Sequence, residues 1–197
     1  VGGGLENLWK SDLVGVYGLD GQFIKSFGQY DPSIRESKKY LVFPVIDVNV
    51  EQQVLASIQM SGYRIQLYDL QTGERLGWFG TKPAHFTEPE SPIRAHDSRQ
   101  QIIEKSIGTS SAIGTFITSD YVLLNFENVT TSFFQTNDFN DKEPYIAVYD
   151  IETFDLVGEI RLPYILSHVA NDRLYLRKDD NPDNYTISVY ELSSEAL

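Results

Sequence analysis

The stretch Leu67–Gly80 reads LYDLQTGERLGWFG, and its reading decides the fold. It opens on a short apolar and aromatic run. A Thr-Gly turn signal follows, and then a second short run ending in Trp78 and Phe79. That is the pattern of a β-hairpin. The same pattern recurs. Val16–Gly28 reads VYGLDGQFIKSFG, Val148–Ile160 reads VYDIETFDLVGEI, and VYEL at Val189–Leu192 begins it once more. Aligned on Tyr17, Tyr68, Tyr149 and Tyr190, the copies agree around the tyrosine. Val16, Leu67, Val148 or Val189 stands just before it, and Val14, Ile65, Ile146 or Ile187 two residues earlier still. Leu19, Leu70, Ile151 or Leu192 stands two residues after it. A strand apolar on both faces of its pleat packs between two layers.

Outward from the hairpins, two further strands precede each of the later copies. They are expected at 43–48 and 53–59, at 113–118 and 121–127, and at 164–169 and 173–178. Four short strands per repeat, at a period of about 40–50 residues, is the signature of a β-propeller. The predicted fold is therefore all-β: four-stranded antiparallel blades, with strands A to D numbered from the axis outward. The whole chain, 1–197, is read as a single partial propeller domain. It contains a blade part at 14–27, blades at 43–79 and 113–160, and a blade part at 164–192. That is about three and a quarter blades, an incomplete ring, where closure takes about 4–8.

These hairpins, YDLQTGERLGWFG and YDIETFDLVGEI above all, resemble those of six-bladed propellers of the NHL and TolB-like type, especially lipoproteins and secreted proteins of Bacteroidetes. The resemblance covers most of the chain and rests on a structural motif; no catalytic signature accompanies it. It implies that the chain is the C-terminal half of a six-bladed ring. The remainder would come from the same protein or from another chain. It also implies a periplasmic, secreted or cell-surface location.

Composition narrows the partners. The formal net charge is −12, from 16 Lys and Arg against 28 Asp and Glu. Such a field repels phosphate backbones, so nucleic acid is excluded as a partner. There is no cysteine, hence no disulfide, thiolate metal site or cysteine nucleophile. No apolar run approaches the about 20 residues of a membrane span, so no direct membrane insertion is expected.

A meander of this kind places the A–B and C–D turns at one end of the blades and the B–C and D–A loops at the other. The first set is tight. The second includes 28–42, 80–112, 128–144 and 179–184, long and polar, with 161–163 as the compact exception. Long loops on a rigid scaffold are where binding resides. The longest, 80–112, carries the candidate binding residues His85, Phe86, Ile93, Arg94, His96 and Arg99. Within it, DSRQQIIEKS is expected to form a short helix capped by Asp97 or Ser98. Three histidines could ligate zinc, but His168 falls in a strand A and the spacing of His85 and His96 fits no ligand pattern. Two clusters, TNDFNDKEP and KDDNPDN, offer Asp138, Asp141, Asp179, Asp180 and Asp183 as calcium ligands. Neither has EF-hand spacing, and Asp and Asn are ordinary turn formers. Asn128 and Asn184 begin N-x-Thr sequons, a tripeptide frequent by chance. No phosphate-binding loop, GxSxG or HExxH is present.

The leading expectation is a non-enzymatic module that binds a protein or a carbohydrate through the long-loop end, without a cofactor unless calcium serves. Two alternatives stand beside it. One is a metal-assisted hydrolase or lyase with a site on the propeller axis. The other is a structural subunit of a larger extracytoplasmic or membrane-associated assembly.

Overall fold

The structure is a computed structural model that describes residues 12–31, 44–60, 62–91, 93, 97–181 and 184–192. Among these residues thirteen strands form four antiparallel sheets that follow one another along the chain. Sheet I pairs β1 (Val14–Tyr17) with β2 (Phe23–Phe27). Sheet II is a meander of β3 (Pro44–Asn49), β4 (Val54–Gln59), β5 (Ile65–Asp69) and β6 (Arg75–Phe79). Sheet III repeats it with β7 (Ser110–Ile117), β8 (Tyr121–Asn128), β9 (Glu143–Asp150) and β10 (Leu156–Arg161). Sheet IV holds β11 (Ile165–Ala170), β12 (Arg173–Asn181) and β13 (Asn184–Glu191). Phe43, the expected first residue of β3, lies outside the described residues. β7 starts at Ser110 rather than 113, because Ser110, Ser111 and Ala112 still pair with the end of β8. β12 and β13 run on through most of 179–184, read from sequence as a loop, because Asp179 pairs with Tyr185 and Asn181 with Asn184.

Three apolar layers join the sheets in chain order. Val14 and Phe27 of sheet I meet Leu55 and Tyr68 of sheet II. The other face of sheet II, with Ile65, Leu67 and Phe79, meets Leu124, Phe126, Ala147 and Tyr149 of sheet III. Leu123, Ile146 and Val148, on the far face of sheet III, meet Leu166, Leu174 and Leu176 of sheet IV. Successive strand residues point to opposite faces, so one strand serves two layers at once. This is why β5 and β9 are buried along nearly their whole length.

Two of the recurring tyrosines, Tyr68 and Tyr149, share one relation to the preceding sheet. Tyr68 packs on Phe27 with ring centroids 5.6 Å apart, and its hydroxyl accepts from Gln29 N–H at 3.2 Å. Tyr149 packs on Phe79 at 5.4 Å, and its hydroxyl donates to the Thr81 carbonyl at 2.9 Å. In each case the partner lies two residues beyond the phenylalanine. Tyr17 and Tyr190 depart from the expected packing between blades, with 62% and 44% of their surface exposed. Tyr17 lies on the face of sheet I that no described sheet covers. Sheet IV meets sheet III through β11 and β12, which leaves Tyr190 at the margin.

The residue two after each tyrosine has a backbone task. Leu70 N–H donates to the Gln53 carbonyl at 2.8 Å, Ile151 N–H to that of Asp120 at 3.0 Å, and Leu192 N–H to that of Asp172 at 2.8 Å. Strand C is thereby tied to the A–B turn in sheets II, III and IV. The Asp that follows the tyrosine closes the C–D turn: Asp69 accepts from Thr72 N–H at 2.6 Å and Asp150 from Thr153 N–H at 2.8 Å. These backbone bonds hold both carboxyls below the usual carboxylate range.

The same turn needs one left-handed residue. Gly73 takes it at φ 79° and Phe154 at φ 64°. Phe154 is held there by its ring, which lies 4.9 Å from that of Phe79 and directly over Gly77 of sheet II. A Cβ at Gly77 would sit 2.5 Å from the Phe154 ring. Between sheets I and II the roles are exchanged: the Phe27 ring lies over Gly73, 2.9 Å from where a Cβ would be.

Candidate functional site: the long-loop end

The six A–B and C–D turns occupy one end of the stack. The other end carries the β6–β7 connection (80–109) and the β8–β9 connection (129–142). Between β4 and β5 the link at that end is short, 60–64, a second compact one beside 162–164.

The β6–β7 connection is pinned in its first part. Glu159 of β10 reaches back to sheet II, and its carboxylate accepts from the backbone N–H of Ala84 at 2.8 Å and of His85 at 3.0 Å. The His85 ring follows, with Nδ1 3.2 Å from Glu159 Oε1. It stacks on Tyr145 at 4.9 Å, and Tyr145 stacks on Phe126 at 5.3 Å. Burial, with Glu143 nearby, pushes the Tyr145 hydroxyl up. The His85 carbonyl accepts from the Asn128 amide at 3.1 Å, and Thr87 exchanges bonds with Ser110 at 2.7 and 2.8 Å. The Asn128 side chain is thus used in holding the loop.

The second part carries α1 (Arg99–Ser106), capped by Ser98 in a reciprocal capping box with Gln101. Lys105 pairs with Asp97 at 2.7 Å. The loop then zips onto its neighbour, with Gly108 N–H donating to the Val129 carbonyl at 2.8 Å and Val129 N–H to that of Thr109 at 3.0 Å. The neighbour folds as α2 (Thr131–Thr136), capped by Thr130, and a 3-10 turn at Phe139–Asp141. Lys142 closes it. Its ammonium bonds buried Glu127 at 2.9 Å and lies 4.7 and 4.6 Å from the ring centres of Phe133 and Phe139.

The sequence candidates divide. His85 is at the surface, its side chain 59% exposed, and Arg99 is exposed in the first turn of α1. Ile93 is half-buried. Phe86 is a correction: it is 1% exposed, wedged against Phe126 and Tyr63, so it serves the core and cannot meet a partner. Arg94 and His96 lie outside the described residues. The His168 ring is set among Phe116 and Tyr175, apart from the His85 stack. Asp138 caps the 3-10 turn through Asn140 N–H at 2.9 Å, and Asp141 accepts from the Thr136 hydroxyl at 2.6 Å. Asp179 and Asp180 belong to strand β12, and Asp183 lies outside the described residues. Among the described residues no three His, Asp or Glu side chains are grouped to hold a metal ion. Sequence reasoning passed over Glu159, Tyr145 and Lys142, and it read Asn128 only as the start of a sequon. Nothing local marks Glu159 among 28 acidic residues.

No family model and no curated protein matches the chain. Its fold is similar to that of a solved structure, a member of the DUF4221 family from Bacteroides vulgatus. The TM-score is 0.64 at 12% identity, over 94% of this chain and 57% of that one. The chain thus spans little more than half the length of that neighbour, and at such identity the likeness is one of fold.

Proposed function

We propose that the four sheets are consecutive blades of a β-propeller of the six-bladed NHL or TolB-like kind, about half of its ring. In this reading the protein is a non-enzymatic binding module that takes a protein or carbohydrate partner on its long-loop end. An extracytoplasmic location, as in the exported proteins it resembles, belongs to the same proposal. The observation that carries it is the contrast between the two ends. One end is laced by the same backbone bond in three sheets. The other presents two structured connections of different build, pinned by Glu159, Asn128 and Ser110. A rigid stack with individual, ordered surfaces at one end is how scaffolds present binding residues.

The test compares the two ends of the intact protein. Binding to a glycan panel and to purified candidate proteins is measured for His85→Ala, for Arg99→Glu and, at the turn end, for Glu152→Lys. The expected result is a loss of at least about tenfold, 1.4 kcal/mol, for one loop-end variant and none for Glu152→Lys. Loss confined to the turn end, or no loss at either end, refutes the reading. A crystal structure of the intact protein with no sheet against the outer faces of sheets I and IV would refute the ring.

A further inference from the structure

The His85 ring ends a column of three. Tyr145 stacks on Phe126 at 5.3 Å with 11° between the ring planes, and His85 stacks on Tyr145 at 4.9 Å with 15°. Phe126 and Tyr145 are buried, and His85 is mostly exposed. Tyr145 covers one face of the imidazole, and the other face opens to solvent. We propose that this open face is a platform for the flat side of a pyranose ring, one neutral sugar unit of a glycan. This rests on the reading of the long-loop end as the binding end. It names which of the two partner classes binds at this point.

The platform is held in place. The His85 backbone N–H and ring Nδ1 both meet the Glu159 carboxylate, at 3.0 and 3.2 Å. Its carbonyl accepts from the Asn128 amide at 3.1 Å. The residue is therefore fixed through its main chain, through one ring edge and through one ring face. A side chain held so firmly loses little freedom when a ligand settles on it. These contacts leave Nε2 as the remaining polar atom of the ring.

The surroundings choose among flat ligands. An aromatic face is negative, so it receives the weakly positive C–H bonds on the flat side of a sugar. A nucleotide would bring phosphate to a chain of net charge −12. An aromatic side chain would fit the face but not the rim. Glu159 borders the imidazole, and Arg161 stands directly across from Tyr145 and pairs with Glu143 at 3.0 Å, both partly exposed. An apolar ring laid here would press edges without polar groups toward Nε2 and that pair, and polar groups covered without partners cost binding energy. A pyranose carries hydroxyls around its rim, and each can donate and accept. The site needs no spare charge for this. Arg161 and Glu143 already answer each other, and hydroxyls can bond to such a pair without separating it.

The test titrates methyl β-D-glucopyranoside, methyl β-D-galactopyranoside and methyl α-D-mannopyranoside into the isotope-labelled intact protein, with N-acetyl-L-tyrosinamide as the aromatic competitor. Amide shifts are followed by NMR to about 30 mM ligand, beyond the millimolar affinity expected of one sugar unit. At least one glycoside should shift the amides of Ala84, His85 and Thr87 saturably. His85→Ala should weaken that glycoside about tenfold or more. His85→Trp keeps a flat face and should bind it at least as well as the parent. Both variants retain the backbone bonds to Glu159, and unchanged β9 and β10 signals would show that they fold. No saturable shift with any glycoside, full affinity in His85→Ala, or equal losses in His85→Ala and His85→Trp overturns the proposal. Tighter binding of N-acetyl-L-tyrosinamide than of every glycoside also overturns it, since the platform would then take an aromatic side chain. If partner capture dependent on Arg99 survives such a result, only the platform assignment falls.

Discussion

Gly77→Ala and Phe154→Ala, made singly and together in the intact protein, test how sheets II and III meet. In the parent the new Cβ of Gly77→Ala would stand 2.5 and 2.6 Å from two carbons of the Phe154 ring. The ring must shift, and it is already held against Phe79 at 4.9 Å. Overpacking of this kind costs about 1–3 kcal/mol. Replacing glycine in a strand returns about 0.5–1 kcal/mol, so the net loss is about 1–2 kcal/mol. Phe154→Ala removes a half-buried ring, at somewhat less than the about 3–5 kcal/mol of a fully buried one. With that ring gone the Cβ at residue 77 meets no obstacle, and Gly77→Ala becomes neutral or stabilising by about 0.5 kcal/mol. The coupling between the two sites is then about 2 kcal/mol, well beyond the about 0.3–0.5 kcal/mol scatter of independent sites. Urea unfolding midpoints of the four proteins measure it. If Gly77→Ala costs the same in both backgrounds, the ring does not lie over the glycine and the packing described is wrong. Phe154→Gly adds a control: it loses the same ring but frees the φ 64° position from strain, so it should be about 1 kcal/mol less damaging than Phe154→Ala.

Phe86→Ala should destabilise the protein by about 3–5 kcal/mol although it lies in a loop; a loss under 1 kcal/mol in thermal melts would contradict its burial. Glu159→Gln keeps one acceptor oxygen where Glu159 uses two, so amide hydrogen exchange at Ala84 and His85 should quicken about tenfold or more; unchanged exchange refutes the pin. Burial pushes the hydroxyls of Tyr149 and Tyr68 up. Their folded pKa values lie above the unfolded value of about 10, so their contribution is complete below pH about 10 and is lost as pH rises beyond it. Tyr149→Phe, costing about 0.5–1.5 kcal/mol at pH 7 for the bond to Thr81, should therefore show a shallower fall in melting temperature between pH 9.5 and 11.5 than the parent. Equal slopes would dismiss Tyr149 as a contributor.

The parts of this fold that were legible in the sequence are those whose cause is local. Asp69 and Asp150 bond backbone amides within their own turns, and a residue-by-residue repeat records that directly. The strand positions follow from alternation between two apolar layers. What the sequence hid depends on partners distant along the chain. Phe86 stands in PAHFTEP, which reads as polar loop, and only the arrival of Phe126 and Tyr63 makes it core. Glu159 reads as one more acid on an outer strand; its two amide donors lie 74 and 75 residues away. Phe154 stands where the turn calls for glycine, and its reason is a contact in the neighbouring sheet.

The repeat also says something about the outer sheets. Ile187 and Val189 occupy the positions of Ile146 and Val148, which are fully buried, yet they are 42% and 53% exposed. At the opposite face Tyr17 matches Tyr68 and Tyr149, and it stands exposed beside Phe23, ring centroids 5.7 Å apart. A chain selected to keep these faces in water would have no reason to place the same apolar residues there as in its interior. Fully burying such a side chain is worth about 1.5–3 kcal/mol, so covering the exposed parts of these four would add on the order of 4 kcal/mol. That is comparable with a sizeable part of the about 5–15 kcal/mol that holds an ordinary domain together. The residues at both outer faces thus match in kind those of the interior layers, which is the energetic argument behind the proposal that further sheets pack on sheets I and IV.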